Sequence, residues 1–269
     1  MNHVIDHVIK IKEDTGANWV FFDDDNFFAD AKRALTILHL LYDNGIRCSF
    51  LELRVDSITK DTMEELRSLE VKRVFVGWES GSDRILKLVT KGFNKKTILE
   101  KCRILAAFPE IAVDASAIIG FPTETKEDIY ETIDLALEMA ELSPNINFNL
   151  GTYLPYPGTK LYELVLKEGF TPPNDPDGWG TFDILAGNIK LQWLPWASDN
   201  EREILRRIDR YGKLLNRVEY SNPLVNFVNR ATYQAARFRL RKKVFYFPVE
   251  IFGQEWWFKR TTRKLQGKD

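Results

Sequence analysis

Chemically distinctive residues stand at the ends of apolar segments in this 269-residue sequence. The first segment ends in FFDDDNFF (21–28), where Asp24, Asp25 and Asn26 lie between pairs of phenylalanines. Carboxylates and an amide grouped in this way could bind a divalent cation or an ammonium group. A solvated turn in which Asp30 caps the following helix explains the same residues equally well.

The second segment contains LELRVD (51–56), with Arg54 and Asp56 two residues apart. On a strand these side chains share a face, where they could clamp a carboxylate and a hydroxyl or amine of a ligand. An internal salt bridge between them is the alternative, and it is the slightly favoured one.

The third segment ends in VGWESGS (76–82), where Glu79 and Ser80 follow an apolar strand. A carboxylate in this place can accept hydrogen bonds from a ribose diol, and the N–H groups of the turn can hold an anion. Ser82 is also expected to cap the next helix, which is compatible with either role.

The fourth segment ends in AIIGFPTET (117–125). Gly120 permits a close backbone approach, for example by a flat ring such as adenine, and Pro122 stiffens the turn. Glu124 lies near a helix start, where negative charge is favoured. A tight strand-to-helix turn without a ligand would need the same residues.

The fifth segment ends in YLPYPGT (153–159). Its prolines and tyrosines, Tyr153 among them, could form a pocket wall or have only a structural role.

Strands are predicted over 18–23, 48–55, 73–80, 111–120 and 147–154. Helical periodicity falls between them, over 31–43, 61–69, 94–108 and 126–142. The last of these helices is expected to begin at a capping box formed by Thr125 and Asp128. Such alternation predicts a parallel sheet with helices outside it.

Period-two polar residues decide between an open sheet and a barrel. Several strands place polar residues on one face, among them Glu52, Asp114, Ser116, Asn147 and Asn149. A doubly wound sheet buries both faces in apolar residues, whereas a barrel can hold a wet interior. The fold class is therefore α/β, a partial parallel β/α barrel over 1–169, with a mainly helical C-terminal region over 170–269.

The C-terminal region is predicted to begin with the loop TPPNDPDGWG (171–180). A helix from Ser198 to about Arg217 follows, with Glu201 at capping-box distance, and then short helical stretches. The end of the chain, from Arg230 to Lys268, is basic and aromatic. Its segment 237–264 could rest on an anionic membrane surface, although packing of its aromatic residues on the barrel is preferred.

Composition narrows the class of protein. Lys plus Arg number 38 and Asp plus Glu 39, which gives no electrostatic argument for a nucleic-acid partner. The N-terminus has no apolar signal region, and no apolar run is long enough to span a bilayer. Two cysteines, Cys48 and Cys102, are too far apart for a CxxC motif. A cytoplasmic protein is expected.

The five segments, in this order and spacing over about residues 10–168, resemble the radical SAM superfamily, and more narrowly its branch often fused to a cobalamin-binding domain. The resemblance implies a partial β/α barrel that binds S-adenosylmethionine (SAM) beside a [4Fe–4S] cluster and cleaves it reductively. By this resemblance, the SAM amino group would lie near Asp24, Asp25 and Asn26, and Arg54 and Asp56 would face SAM. The ribose would lie near Glu79 and Ser80. The adenine would pack against the turn formed by Gly120, Phe121, Pro122 and Glu124, and Tyr153 would belong to the family's last strand segment.

The sequence departs from this family at one essential place. The family's cluster is held by a CxxxCxxC loop, and neither Cys48 nor Cys102 matches it. We expect a truncated reading frame, missing the first strand and any cobalamin domain; a degenerate member or a split enzyme completed by a partner chain would explain the same departure. No catalytic residue or metal ligand is assigned.

Two functions are expected from these observations. The first is a radical SAM oxidoreductase or methyltransferase that acts on an unknown small molecule. This chain is expected to be a fragment of that enzyme and to be inactive by itself. The second is a non-catalytic SAM-binding or scaffold protein. A magnesium-dependent phosphotransferase built on FFDDDNFF is disfavoured, because no later basic residue and acidic pair accompany it at strand ends.

Overall fold

The computed structural model of the chain describes residues 2–24, 26–180, 182, 191–216 and 222–247. Five strands alternate with helices in the first part of the chain. The strands are β1 (Trp19–Phe21), β2 (Arg47–Arg54), β3 (Arg73–Glu79), β4 (Ala112–Ile119) and β5 (Ile146–Thr152). The helices are α1 (Asn2–Thr15), α2 (Ala31–Asp43), α3 (Lys60–Ser68), α4 (Asp83–Leu88), α5 (Lys95–Ala106), α6 (Lys126–Leu142), α7 (Tyr162–Lys167), α8 (Pro176–Gly180), α9 (Asp199–Lys213) and α10 (Pro223–Lys242).

The strands form one sheet in the order β1-β2-β3-β4-β5. The pairings of β1 with β2, β2 with β3 and β3 with β4 are parallel. Consecutive order with right-handed crossovers places the connecting helices on one side of the sheet, as in a barrel, whereas a doubly wound sheet reverses its order. The predicted α/β class with a partial barrel is confirmed; in the part of the chain that is described, the sheet remains open between β1 and β5.

The two faces of the sheet differ as period two predicts. On β3, Val74, Val76 and Trp78 are buried, whereas Phe75, Gly77 and Glu79 are only half-buried. The same alternation runs through β2 and β4, so that the polar side chains lie on the half-buried face. The polar side chains on that face therefore remain partly accessible to solvent as far as the carboxyl ends of the strands.

Local hydrogen bonds fix where the helices begin. The side chain of Asp30 accepts a hydrogen bond from the Arg33 N–H at 3.0 Å, which caps α2 as predicted. At the start of α6, Thr125 and Asp128 exchange hydrogen bonds across the predicted capping box. Because these caps are local, the predicted bounds of α2 and α6 agree with the observed ones.

The chain divides into two compact units. The first comprises residues 1–117 and 138–149, and the second comprises 118–137 and 150–269. The carboxyl ends of β4 and β5 belong to the second unit, together with α7 to α10. The predicted boundary at residue 169 stays a prediction.

The C-terminal elements correct two expectations from the sequence. The segment 171–180, predicted as a loop, contains the short helix α8. Short helical stretches were expected near the end, but α10 is a single helix of 20 residues. Asn222 caps it, Pro223 occupies its first position, and no Gly or Pro interrupts it before Lys243 adopts a left-handed φ of 55°.

Within the described residues, no helix combines the length and apolar character needed to cross a bilayer.

Candidate functional site

Arg54 and Asp56 form a two-pronged ion pair at the carboxyl end of β2. Arg54 Nε lies 3.1 Å from Asp56 Oδ1, and its Nη2 lies 3.0 Å from Oδ2. The hydrogen bonds from Arg54 hold the pKa of the Asp56 carboxyl below its usual value, and the same pairing raises the pKa of Arg54. The internal salt bridge is therefore present, with Arg54 Nη2 also donating to the Lys91 carbonyl at 3.1 Å.

Glu79 ends β3 in a left-handed conformation, with φ at 64°. Its carboxylate is 2.8 Å from the Lys91 ammonium, and the Glu79 side chain is only 14% exposed. A Cβ placed on Gly77 would lie 2.5 Å from Glu79 Oε1, so that this carboxylate rests over the glycine. Gly77 thus makes room for the Glu79 carboxylate two residues later on the same face.

Lys91 joins the two ion pairs into one charged cluster, which we define as Arg54, Asp56, Glu79 and Lys91. Its carbonyl accepts from Arg54, and its ammonium pairs with Glu79. Two cations and two anions balance, and the Glu79 charge contributes to the raised pKa of Arg54. Sequence analysis missed Lys91 and Gly77. The glycine two residues before Glu79 was a readable signal, whereas Lys91 lies in a turn with no motif of its own.

Ser80 and Ser82 shape the turn after β3. Ser80 is fully buried and its hydroxyl accepts a hydrogen bond from the Ser82 N–H at 3.1 Å. The Ser82 hydroxyl in turn caps α4, as predicted. This geometry supports a structural role for Ser80 and leaves the predicted contact with a ribose untested.

The carboxyl end of β1 offers a buried acceptor. Asn26 Oδ1 has no hydrogen-bond partner among the residues that the structure describes. The neighbouring Phe27 and Phe28 are buried, whereas Asp24 is exposed. Asp25 lies outside the described residues. A buried amide oxygen without a donor is costly, which makes Asn26 a candidate to accept from an N–H group of a ligand.

In the second unit, the turn after β4 is held by its own side chain. The Glu124 carboxylate accepts from the N–H groups of Gly120 and Phe121, the latter at 3.1 Å. Gly120 has φ at 84°, and a Cβ there would meet Leu205 and Leu194 at 3.1 and 3.2 Å. The close approach that Gly120 permits is thus made by side chains of this chain, and Pro122 follows within the same turn.

Tyr153 packs into an aromatic group beside this turn. Its ring centroid is 5.2 Å from that of Phe121 and 6.1 Å from that of Trp196. Trp193 Nε1 donates to the Tyr153 carbonyl at 2.8 Å, and burial raises the pKa of the Tyr153 hydroxyl. Sequence analysis did not single out the two tryptophans, whose contact with Tyr153 spans about 40 residues of chain.

The predicted site residues therefore form two groups. In the first unit, Arg54, Asp56 and Glu79 share the charged cluster, at the same edge of the sheet as Asp24 and Asn26. In the second unit, the turn residues and Tyr153 form the aromatic group. An open parallel sheet in consecutive order, with polar groups at its carboxyl edge, is typical of the β/α barrel class of proteins, which bind ligands at that edge.

Comparison with known proteins identifies the family. Residues 3–136 match the model of the radical SAM superfamily. An uncharacterized methyltransferase of Pyrococcus horikoshii is 29% identical over 208 residues, covering 77% of this chain and 43% of the relative. A putative methylthiotransferase of Methanocaldococcus jannaschii is 32% identical over 162 residues, covering 59% of this chain and 34% of the relative.

Solved structures agree on the fold. The apo form of the cobalamin-dependent S-adenosylmethionine radical enzyme OxsB superposes with a TM-score of 0.58 at 13% identity, covering 98% of this chain and 45% of that protein. The chain belongs to the radical SAM superfamily. It spans less than half the length of the relatives named above.

The family's [4Fe–4S] cluster does not fit the residues of this chain. Cys48, on β2, and Cys102, on α5, are both buried, and burial raises the pKa of each thiol to about 12. Cluster ligation requires ionised thiolates grouped around the iron. No group of three or more His, Cys, Asp or Glu side chains suited to a metal ion occurs within the described residues.

Proposed function

We propose that this chain forms the SAM-binding part of a radical SAM methyl- or methylthio-transferase. The observation that carries the proposal is the buried acceptor of Asn26 at the same sheet edge as the charged cluster. Family membership and the methyltransferase and methylthiotransferase names of relatives support the reaction class.

The chemistry of SAM matches these groups. Its ammonium supplies the N–H donor that Asn26 Oδ1 lacks within the described residues, and the exposed Asp24 adds negative charge beside it. The Glu79 carboxylate can accept from both ribose hydroxyls while its pairing with Lys91 holds it in place. Arg54 remains tied to Asp56, so it positions the cluster and adds positive charge for the methionine carboxylate.

Reductive cleavage of SAM requires cluster ligands from outside these 269 residues. The two cysteines are buried and un-ionised at neutral pH, and no step of the reaction is assigned to them. The outer edge of β1, with Trp19 and Phe21 about half exposed, is a place where a further strand carrying such ligands could pair. On its own, the chain is then inactive in radical chemistry.

A cobalamin cofactor held by a separate domain, an unidentified small-molecule substrate and a cytoplasmic setting belong to the same proposal. Likeness to OxsB supports the barrel fold and leaves cobalamin use to experiment.

A non-catalytic SAM-binding or scaffold protein is the second candidate. The observation that favours it is the same pair of buried cysteines, because a barrel without cluster ligands can still bind SAM. The two candidates differ only in what happens once cluster ligands are supplied.

Equilibrium dialysis with radiolabelled SAM tests the shared part. The full chain should bind SAM, and Glu79→Gln and Asn26→Leu should each weaken binding about tenfold or more, since each removes one hydrogen-bonding group. Glu64→Gln, an exposed carboxylate paired with Arg67 on α3, is the matched control and should bind normally. Absence of SAM binding by the unmodified chain would contradict both candidates.

Anaerobic reconstitution with iron and sulfide tests the missing ligands. The chain alone should develop no cluster charge-transfer absorbance. A cluster on this chain would overturn the assignment of its ligands to outside sequence. SAM cleavage after addition of a cluster-bearing segment would favour the enzyme, and binding without cleavage would favour the scaffold.

A further inference from the structure

Helix α10 carries an exposed row of side chains along its length. The row consists of Leu224, Phe227, Ala231, Gln234 and Phe238, spaced alternately three and four residues apart. At about 100° per residue these positions fall within about 80° of the helix circumference. Leu224, Phe227 and Phe238 are 64%, 71% and 61% exposed, which is unusual for large apolar side chains grouped on one stripe.

The opposite face of α10 is the one that is buried. Thr232, Ala236 and Leu240 are buried in the second unit, so the exposed row points away from the packed side. After the helix, Lys243 pairs with Asp134 of α6 and lies over the Tyr130 ring, which fixes this end of α10. The exposed row is therefore held in a defined orientation.

The charged residues of the segment that carries the row all have the same sign. Residues 222–247 contain six Lys or Arg and no Asp or Glu. By helical position, Arg230, Arg237 and Arg241 flank the row on one side. On the other side Lys242 falls at the edge of the row, and Arg239 lies beyond it with its guanidinium donating to the carbonyls of Val244, Tyr246 and Phe247. Beyond the helix, the exposed Phe247 is 85% accessible. An apolar stripe bordered on both sides by cations matches a helix lying in the plane of a lipid interface.

We propose that α10 docks on an anionic phospholipid surface, with the exposed row inserted among the acyl chains and the flanking cations on the headgroups. A second copy of the chain is a poorer partner, because pairing of two α10 helices through their exposed rows would bring the Arg and Lys side chains beside those rows close to one another. RNA is poorer too, because Leu224 and Ala231 offer no ring for base stacking. Residues 248–268 of the basic aromatic tail lie outside the described residues, and the proposal rests on 222–247.

Vesicle sedimentation with the full chain tests this docking. Binding is expected to phosphatidylcholine vesicles that contain phosphatidylglycerol, and not to vesicles of phosphatidylcholine alone. Phe227→Ser combined with Phe238→Ser should weaken binding at least tenfold by removing inserted apolar surface. Arg230→Gln combined with Lys242→Gln should weaken it about fivefold for each cation removed, and added salt should do the same.

Matched controls separate docking from general surface effects. Leu166→Ser on α7 removes an exposed leucine elsewhere, and Lys96→Gln combined with Lys167→Gln removes two exposed cations; both should bind vesicles normally. Circular dichroism should show unchanged helix content in every variant. Equal binding by the α10 variants and the controls would overturn the proposal. The proposal would also be overturned if sedimentation equilibrium showed a dimer that the Phe227 and Phe238 substitutions dissociate. Binding of RNA in preference to the vesicles would overturn it as well.

Discussion

The position of the Glu79 carboxylate depends on two other residues, Gly77 and Lys91. Gly77 lies two positions earlier on the same strand and leaves space for the carboxylate, whereas Lys91 lies 12 positions later and supplies its counter-ion. Because the Glu79 side chain is mostly buried, its pairing should count for more than that of an exposed ion pair. The position of this carboxylate is thus set by sterics on one side and by charge on the other.

A double-mutant cycle measures this pairing. Urea unfolding of Glu79→Gln, Lys91→Met and the double variant should give a coupling free energy of about 1 kcal/mol or more. Gly77→Ala should abolish most of this coupling, since its Cβ displaces Glu79 Oε1. Gly180→Ala, where a Cβ meets nothing within 4 Å, is the control and should leave the coupling intact. A coupling that survives Gly77→Ala would contradict the steric argument.

The two thiols make a second prediction at this scale. With a pKa of about 12, Cys48 and Cys102 should react with a disulfide reagent at neutral pH only after unfolding in guanidinium chloride. Because burial raises their pKa in the folded state, they favour folding below their ordinary pKa, and that contribution is lost as the pH rises above about 9. Rapid labelling of the folded chain, assigned with Cys48→Ser and Cys102→Ser, would show that one thiol is accessible.

At the scale of elements, α9 shows how packing can override helix propensity. Its Gly212 is buried, and a Cβ there would lie 2.8 Å from Leu150 Cγ, at the end of β5. A glycine inside a helix normally costs about 0.5–1 kcal/mol relative to alanine. Here the glycine permits the helix to approach the strand.

Gly212→Ala should therefore destabilise the chain by about 1–3 kcal/mol, because overpacking outweighs the propensity gain. The combination with Leu150→Ala should recover part of the loss, since it removes the atoms that the new methyl group meets. Chemical denaturation of the three variants measures both effects. Stabilisation by Gly212→Ala alone would mean that α9 can move away from β5 without cost.

At the scale of the whole molecule, β1 is an edge strand of the sheet within the described chain. Trp19 and Phe21 are 48% and 53% exposed, and Phe21 packs on Phe50 of β2 at 4.9 Å. An apolar edge strand presents unpaired backbone groups to other chains. This is the same edge at which a cluster-bearing strand is proposed to pair.

Trp19→Lys should accordingly reduce concentration-dependent association of the purified chain, because a charge on an edge strand opposes strand pairing. Static light scattering over a concentration series provides the measurement. Leu166→Lys, an exposed leucine on a helix, controls for added charge and should associate like the unmodified chain. Identical association of all three proteins would place the contact elsewhere.

The sequence by itself determined the α/β alternation, the helix caps at Asp30 and Thr125, and the polar face of the sheet. These features depend on residue periodicity and on hydrogen bonds between near neighbours, as does the Arg54–Asp56 pair. The missing cluster motif was equally readable, because it depends only on which residues are present.

Only the tertiary structure decided what surrounds those residues. Three contacts join segments that periodicity treats separately. They are Lys91 with Glu79, Leu194 and Leu205 with Gly120, and the two tryptophans with Tyr153. The continuous helix α10 and its exposed row also emerged only there, because burial of one face is set by the surface against which a helix packs. Contacts of this kind depend on the three-dimensional path of the chain, which spacing along the sequence does not fix.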